Sequence, residues 1–237
     1  MSIEKVARNI LRTVRNNFGG FHEFRSVFES KFPHIDINFY NKMQDRLELL
    51  GFTKVCDIED LTIKKNKPDP RSFIRVMSNS RTGASSGIYH IKPKFPWPLI
   101  LYFGKLGPSK VFEFETEFTD GHLICTSIAS KLSEMPHPDS QVKIYLHKST
   151  SVEKVLDVHN EAVDKYLKEN VGTATINQKT MEDVIKSQNR QFRIVDEHLE
   201  SIGWVTKEYL LKSAGNNKFL ANKIYDMIQE IIAKEKN

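Results

Sequence analysis

Three glutamates in the middle of the chain, Glu113, Glu115 and Glu117, alternate with phenylalanine and threonine. Alternation with a period of two is typical of a β-strand with one buried face, so the three carboxylates point the same way. Carboxylates that share one face can exchange protons with a substrate, and His122 follows a few residues later. The pattern makes Glu115, Glu117 and His122 candidates for acid/base chemistry. The alternative is that the glutamates form the solvated face of a sheet or pair with lysines of a neighbouring strand.

The glutamates belong to a predicted β-hairpin over residues 111–128, VFEFETEFTDGHLICTSI. The dipeptide Asp120-Gly121 is typical of a two-residue type I′ turn, because both central residues of that turn need a positive φ. A two-residue loop sets the register and predicts the opposed pairs Phe118–Leu123, Thr116–Cys125 and Phe114–Ser127. Cys125 then lies on the apolar core face, where a cysteine behaves as a small hydrophobic residue.

A second candidate surface lies in the segment Lys64–Lys110. This segment has ten basic residues and one acid, and so a net charge of +9 in a chain whose net charge is +5. Aromatic residues are interleaved with the bases, and such surfaces bind single-stranded nucleic acid or acidic membranes. The predicted partner is anionic: a nucleic acid, an acidic lipid surface or an acidic protein. The residues predicted to contact it are Arg71, Arg75, Arg81, Lys92, Lys94 and Trp97. The alternative is that the aromatic side chains belong to the core and the lysines to its solvated reverse side.

Within the basic segment, residues 78–87 (SNSRTGASSG) are rich in small side chains and contain Arg81. Consecutive backbone N–H groups beside an arginine can hold a phosphate or a carboxylate. The stretch has neither of the glycine-rich phosphate-binding patterns, GxxxxGK[ST] and GxGxxG, so a plain hairpin loop is the alternative.

The chain has cysteines and histidines, but they do not occur at the spacings that are typical of metal sites. The two cysteines are Cys56 and Cys125, and the chain has no CxxC and no HExxH pattern. The sequence therefore predicts neither a metal site nor a cofactor, and two cysteines are too few for a disulfide scaffold. His159 lies on the apolar face of a predicted helix, and we expect it to be a buried, hydrogen-bonded histidine.

The elements that must position these residues follow a simple order of helices, strands and helices. Strands are predicted over 52–63, 73–77, 87–92 and 99–104, in the hairpin 111–128, and over 142–146. Helices are predicted over 2–18, 21–32, 36–50 and 151–168, and again from 180 onwards. The order predicts an α+β fold with an antiparallel β-sheet of about six strands flanked by N-terminal and C-terminal helices. The expected organisation is an N-terminal helical segment (1–50), a sheet core with a packed helix (51–170) and a C-terminal helical segment (171–237).

The 237 residues have the composition of an ordinary soluble globular protein. No apolar run approaches the roughly 20 residues of a membrane span, and the first residues lack the apolar core of a secretory signal. A cytoplasmic location and the absence of a transmembrane segment are the expectations.

Four stretches of the sequence occur together in a familiar combination. They are Leu50-Gly51-Phe52 with Asp57, the run from PDPRSFIRV to IYHIKP, FTDG followed by Thr126-Ser127, and a helix that contains His159. Over roughly the middle half of the chain these stretches resemble an uncharacterised group of bacterial conserved proteins. The group has no assigned function, so the resemblance implies no activity, cofactor or site residue.

Two functional hypotheses, from different classes, remain open at this point. The leading one is a non-catalytic binding or interaction module that uses the basic surface over 64–110 for an anionic partner. The competing one is an enzyme with a carboxylate-lined cleft at the 113–117 face. A third, structural possibility is an oligomer that buries the strand over 99–104 or the last helix.

Overall fold

The computed structural model describes residues 2–62, 72–91, 109–128, 136–213 and 216–235. The chain divides into two compact units. The sheet unit comprises Glu23–Ser130 and Asp139–Gln188, and the helical unit comprises Met1–His22, Lys131–Pro138 and Asn189–Asn237. This grouping differs from the three consecutive segments expected from the sequence, because the first helix packs with the last one.

Seven strands of the described residues form one sheet, in which they lie in chain order. Their bounds are Phe24–Ser26 (β1), Thr53–Asp60 (β2), Ile74–Asn79 (β3), Ala84–Ile91 (β4), Ser109–Glu117 (β5), Leu123–Ser127 (β6) and Gln141–Tyr145 (β7). Neighbouring strands are antiparallel, except β6 and β7, which are parallel. The predicted α+β fold with a mostly antiparallel sheet is confirmed, with one strand more than the expected six. The strand predicted over 99–104 lies outside the described residues.

The first strand falls where the sequence predicts a helix over 21–32. The structure has β1 there, followed by a single 3-10 turn at Glu29–Lys31. Phe21 and Phe28 are 75% and 74% exposed, so the apolar spacing does not mark one buried helical face. The helical periodicity is overridden because backbone pairing with β2 stabilises an extended chain at this edge of the sheet.

Six α-helices lie in the described residues, and their N-terminal caps largely follow the sequence. Their bounds are Ile3–Phe18 (α1), Ile37–Leu49 (α2), Val152–Glu169 (α3), Met181–Ser201 (α4), Lys207–Ser213 (α5) and Lys218–Glu235 (α6). Asp36 caps α2 and Ser151 caps α3, each by accepting a backbone N–H. At α4, Thr180 and Asp183 form a reciprocal capping box, with N–H to oxygen distances of 2.9 and 3.2 Å. Of the helices in the described part of the chain, none combines the length and apolar character needed to cross a bilayer.

One face of the sheet packs against α2 and α3 around a cluster of buried aromatic and aliphatic side chains. His159 of α3 is fully buried on this face and links two strands. Its Nε2 lies 2.8 Å from the hydroxyl of Thr116 on β5, and its Nδ1 lies 3.1 Å from the hydroxyl of Thr126 on β6. Burial lowers the pKa of His159 to about 4, so the ring is neutral at pH 7. The expectation of a buried, hydrogen-bonded histidine is confirmed.

The opposite face of the sheet is covered in part by the beginning of α4. Val184 of that helix packs against Cys56, Ile58 and Val76 of β2 and β3. The helical unit has an apolar cluster of its own, formed mainly by α1, α4 and α6. Glu113 and Glu115 of β5 are partly exposed on this face, whereas Glu117 of the same strand is buried.

Candidate functional site

The hairpin of β5 and β6 closes with a three-residue loop. The N–H of Phe118 donates to the carbonyl of His122 at 2.9 Å, and the N–H of Gly121 donates to the carbonyl of Phe118 at 3.0 Å. Gly121 has a φ of +89°. A tight turn followed by a glycine in the left-handed region is the usual form of a three-residue hairpin loop. The type I′ loop of two residues expected from Asp120-Gly121 is therefore wrong by one residue.

A shift of one residue reverses which face each side chain of a strand occupies. In the structure Glu115 is opposite Cys125 and Glu113 is opposite Ser127, whereas Thr116 is opposite Ile124. Cys125 consequently lies beside the glutamates and not on the apolar core face, which corrects the sequence-based prediction. The common face of Glu113, Glu115 and Glu117 is as predicted, because it depends only on the alternation along β5.

Five side chains from four neighbouring strands meet on this side of the sheet: Tyr89 (β4), Glu113 and Glu115 (β5), Cys125 (β6) and Lys143 (β7). We call them the acidic face. The Cys125 thiol donates to Glu113 Oε2 at 3.8 Å, and one potential ligand atom from each of Glu113, Glu115 and Cys125 lies within 4.8 Å of the other two. Lys143 is opposite Cys125 in the parallel pair of β6 and β7. The arrangement places two carboxyl groups, a thiol, a phenol and an ammonium group together.

The acidic face is reachable from solvent. Cys125 is only 6% exposed, but Tyr89, Glu113, Glu115 and Lys143 are all partly exposed. Opposite Glu113 on β4 stands Gly87, where a β-carbon would lie 3.5 Å from a Glu113 carboxylate oxygen. A glycine inside a strand often marks a position where another group approaches the backbone closely. Here the missing side chain lets Glu113 lie over the backbone of β4, with its carboxylate oxygen 3.5 Å and its Cγ 3.7 Å from the position of that β-carbon.

The environment of the acidic face raises the pKa values of its two carboxyl groups. Burial, reinforced by the neighbouring charge of Glu115, raises the pKa of Glu113 to about 8, although Lys143 and hydrogen bonds from Cys125 and Tyr89 act in the opposite direction. Burial also raises the pKa of Glu115, against the charge of Lys143 and a hydrogen bond from Gln188. The Gln188 amide, on α4, donates to Glu115 Oε2 at 3.2 Å.

The thiol and the phenol of the acidic face are also held in their neutral forms. Burial raises the pKa of Cys125 well above its usual value, and the nearby glutamates raise it further. Burial and Glu113 do the same for the pKa of Tyr89. Cys125 is therefore a poor nucleophile, because the reactive form of a cysteine is the thiolate. The chemistry available to this face is proton exchange by the carboxyl groups.

Glu113, Glu115 and Cys125 are also the described side chains that could hold a divalent cation, since carboxylates and thiolates are ligands of zinc. Binding would require the Cys125 thiol to lose its proton and its hydrogen bond to Glu113. The charge of Lys143 opposes a cation at the same place. The residues are thus better suited to exchanging a proton than to holding a metal.

Glu117 and His122, the other acid/base candidates, do not join this site. Glu117 is 1% exposed and accepts a hydrogen bond from Ser187 Oγ at 2.7 Å, and that hydroxyl in turn accepts from Gln178 at 2.9 Å. His122 lies directly after the hairpin loop, against the ring of Tyr166 on α3. Of the three candidates, Glu115 alone is part of the acidic face, because Glu117 is enclosed and His122 packs with the helix on the other side of the sheet.

The predicted anion-binding residues have different locations. Arg75 is 2% exposed, and its guanidinium donates to both carboxylate oxygens of Asp57 (2.9 and 3.1 Å), to Asn41 Oδ1 (3.0 Å) and to Glu29 Oε2 (2.6 Å). Arg75 therefore holds the fold together and is not presented to a partner. Arg81 is exposed in the turn after β3. Four of the predicted residues lie outside the described part of the chain: Arg71, Lys92, Lys94 and Trp97. The basic surface stays a prediction.

The turn expected over 78–87 is shorter than predicted. β3 extends to Asn79 and β4 begins at Ala84, and the N–H of Gly83 donates to the carbonyl of Asn79 at 2.9 Å. Ser85 and Ser86 are buried within β4, where they pair with β3. Their backbone N–H groups belong to the sheet, so the stretch does not form a cradle of consecutive donors.

Comparison with known proteins yields no match among protein-family models, curated proteins or solved structures. The resemblance to a group of bacterial conserved proteins therefore stays a prediction.

Proposed function

We propose that the chain is an enzyme that uses the acidic face for general acid/base catalysis on a small polar molecule. This is the carboxylate-cleft hypothesis, now assigned to Glu113 and Glu115. The observation that carries the proposal is the pair of partly exposed carboxyl groups, which lie within 4.8 Å of each other and whose pKa values are both raised. Strongly shifted pKa values in a reachable site are typical of catalytic groups.

Four residues of the acidic face have a role in the proposed reaction: Tyr89, Glu113, Glu115 and Lys143. Two carboxyl groups this close resist joint ionisation, and a pair that shares one proton can donate and accept a proton in the same reaction. Glu113 carries that proton and donates it to the substrate, while Glu115, stabilised by Lys143 and Gln188, accepts a proton. Tyr89 orients the Glu113 carboxyl through its hydroxyl group.

A kinetic experiment tests the proposal. The protein is assayed with nitrophenyl esters, phosphates and glycosides as probes, together with the variants Glu115→Gln and Glu113→Gln. Glu161→Gln, on the exposed side of α3, is the matched control. We expect kcat/KM to fall by about 100-fold or more in the first two variants and to stay unchanged in the control, because general acid/base groups contribute factors of this size.

A second measurement does not depend on finding the substrate. Carbon-13 NMR of the glutamate carboxyl groups should show a resonance that titrates near pH 8 and disappears in Glu113→Gln. The proposal would be overturned if the Glu113 resonance titrated at the same pH as the resonances of the exposed glutamates. A turnover that chelators abolish and zinc restores would also overturn it, in favour of a metal at the same three side chains.

A further inference from the structure

A groove of about 640 Å³ runs between α1 and α6 in the helical unit. Its volume is in the range of small-molecule sites. Four basic side chains of α1 line it, Lys5, Arg8, Arg12 and Arg15, and they follow one another at spacings of three and four residues. Residues at these spacings share one face of a helix. The stripe is roughly 15 Å long, given a rise of about 1.5 Å per residue.

The positive charge of the groove is only partly neutralised. Arg8 pairs with Glu4 and Arg15 pairs with Glu235, each at 2.8 Å. Among the described residues, no carboxylate lies within ion-pair distance of Lys5 or Arg12. The Arg12 guanidinium donates to Asn9 Oδ1 at 3.3 Å. The lining therefore has four basic and two acidic side chains. The two bases without a described carboxylate partner are Lys5, at one end of the stripe, and Arg12, the third residue of the stripe.

The ion pair of Arg8 with Glu4 is easily exchanged for a ligand. The Arg8 and Glu4 side chains are 57% and 54% exposed, and exposed pairs contribute little to stability. A guanidinium group binds two oxygens of a phosphate through two parallel hydrogen bonds. In its present pair Arg8 instead donates twice to a single oxygen, Glu4 Oε1, at 3.0 and 2.8 Å. Arg15 is already positioned, with its guanidinium 5.2 Å from the centre of the Trp204 ring.

We propose that this groove binds a small anion with two or more linked phosphate groups, held by Arg8, Arg12 and Arg15. The length of the stripe suits a chain of phosphates better than one phosphate. A membrane surface is disfavoured because the apolar side of α1, with Leu11 and Val14, is buried in the cluster of the helical unit. Single-stranded nucleic acid is bound best where its bases stack on aromatic side chains, and none of the described residues that line the groove is aromatic.

The probes are inorganic pyrophosphate and triphosphate, titrated into the full chain by calorimetry at low and at moderate salt. Arg12→Gln is the test variant, because Arg12 is exposed and carries no structural ion pair. Arg193→Gln is the matched control. Arg193 lies on α4 in the same unit and its side chain is 70% exposed. Its replacement by glutamine changes the net charge of the chain by the same amount as Arg12→Gln. We expect Arg12→Gln to weaken binding by about tenfold and Arg193→Gln by less than about twofold. Arg12→Lys should bind at an intermediate level, because it keeps the charge and loses the paired donors.

Three results would overturn the proposal: no binding of either probe at low salt, equal losses in Arg12→Gln and Arg193→Gln, or binding of a single-stranded oligonucleotide or of acidic vesicles that pyrophosphate does not displace. Glu115→Gln should leave pyrophosphate binding unchanged. Failure of the acid/base proposal and failure of this one are therefore separate outcomes.

Discussion

Glu113 has a carboxyl group that the fold keeps close to a second carboxyl group and partly away from water. The unfolded chain releases this proton near pH 4.5, whereas in the folded chain the pKa of Glu113 is raised to about 8. Between these pH values the folded state binds more protons than the unfolded state. The free energy of unfolding therefore falls as the pH rises through this window.

The variant Glu113→Gln should remove most of this pH dependence. We expect it to be more stable than the natural chain at pH 8, by on the order of 1 kcal/mol because partial exposure screens the effect, and to differ little at pH 4.5. Urea unfolding at several pH values measures the difference. The variant Glu161→Gln should keep the dependence of the natural chain, and an unchanged slope in Glu113→Gln would contradict the pKa assignment.

Which residues meet at the acidic face could be predicted only in part. The shared side of Glu113 and Glu115 follows from alternation along one strand, which the sequence displays directly. Tyr89, Cys125 and Lys143 come from three other strands, and their meeting depends on strand order and register. No residue type in the sequence records which strand lies beside which, so these members were missed.

At the scale of elements, Arg75 connects more of the fold than its place in a single strand suggests. It lies on β3 and donates to Asp57 on β2, to Asn41 on α2 and to Glu29 in the 3-10 turn. Its guanidinium also lies 5.6 Å from the centre of the Tyr40 ring. Two strands, a helix and a connecting turn thus share one buried cation.

Replacing this cation should destabilise the sheet unit strongly. In Arg75→Met the carboxylate of Asp57 stays buried without its main partner, and we expect a loss of about 3–5 kcal/mol. Chemical denaturation measures it. The exposed Arg81 is the matched control, and Arg81→Met should change stability by less than about 0.5 kcal/mol. Similar values for the two variants would show that the Arg75 network contributes nothing.

Most helices and strands were predictable from the sequence, and each of the two exceptions has a physical reason. The Asp120-Gly121 pair indicates a turn, but a glycine with positive φ suits a two-residue loop and a three-residue loop equally well. The choice between them changes the register by one residue and moves Cys125 to the other face. Residues 21–32 have helical spacing, yet pairing with β2 draws Phe24–Ser26 into the sheet. For Phe24–Ser26, a contact distant along the chain therefore determines the secondary structure.

At the scale of the whole molecule, the chain has two compact units with separate apolar clusters. Ile228 of α6 is fully buried in the cluster of the helical unit, and Ile88 of β4 is fully buried in the sheet unit. Composition and charge do not reveal this division, because α1 precedes the sheet in sequence and belongs with helices that follow it.

Cavities created in the two units should have different consequences. Ile228→Ala should lower the stability of the helical unit by about 2–5 kcal/mol, the usual range for such a truncation. Hydrogen exchange should show this as lost protection in α1 and α6 with little change in β4 and β5. Ile88→Ala is the reciprocal variant and should show the opposite pattern. Equal loss of protection in both units for either variant would mean that they unfold together.

The strand order and the position of α1 also bear on synthesis at the ribosome. Each strand of the sheet pairs with the next one along the chain, so the sheet can grow as the chain emerges. The α1 helix instead packs against α6, which is synthesised last. The ion pair of Arg15 with Glu235, 220 residues apart, is one of these contacts. Translation of the intervening residues takes about 10–40 s. During that time the apolar side of α1 cannot pack against α6. We therefore expect a chaperone that binds nascent chains to bind this side of the first helix.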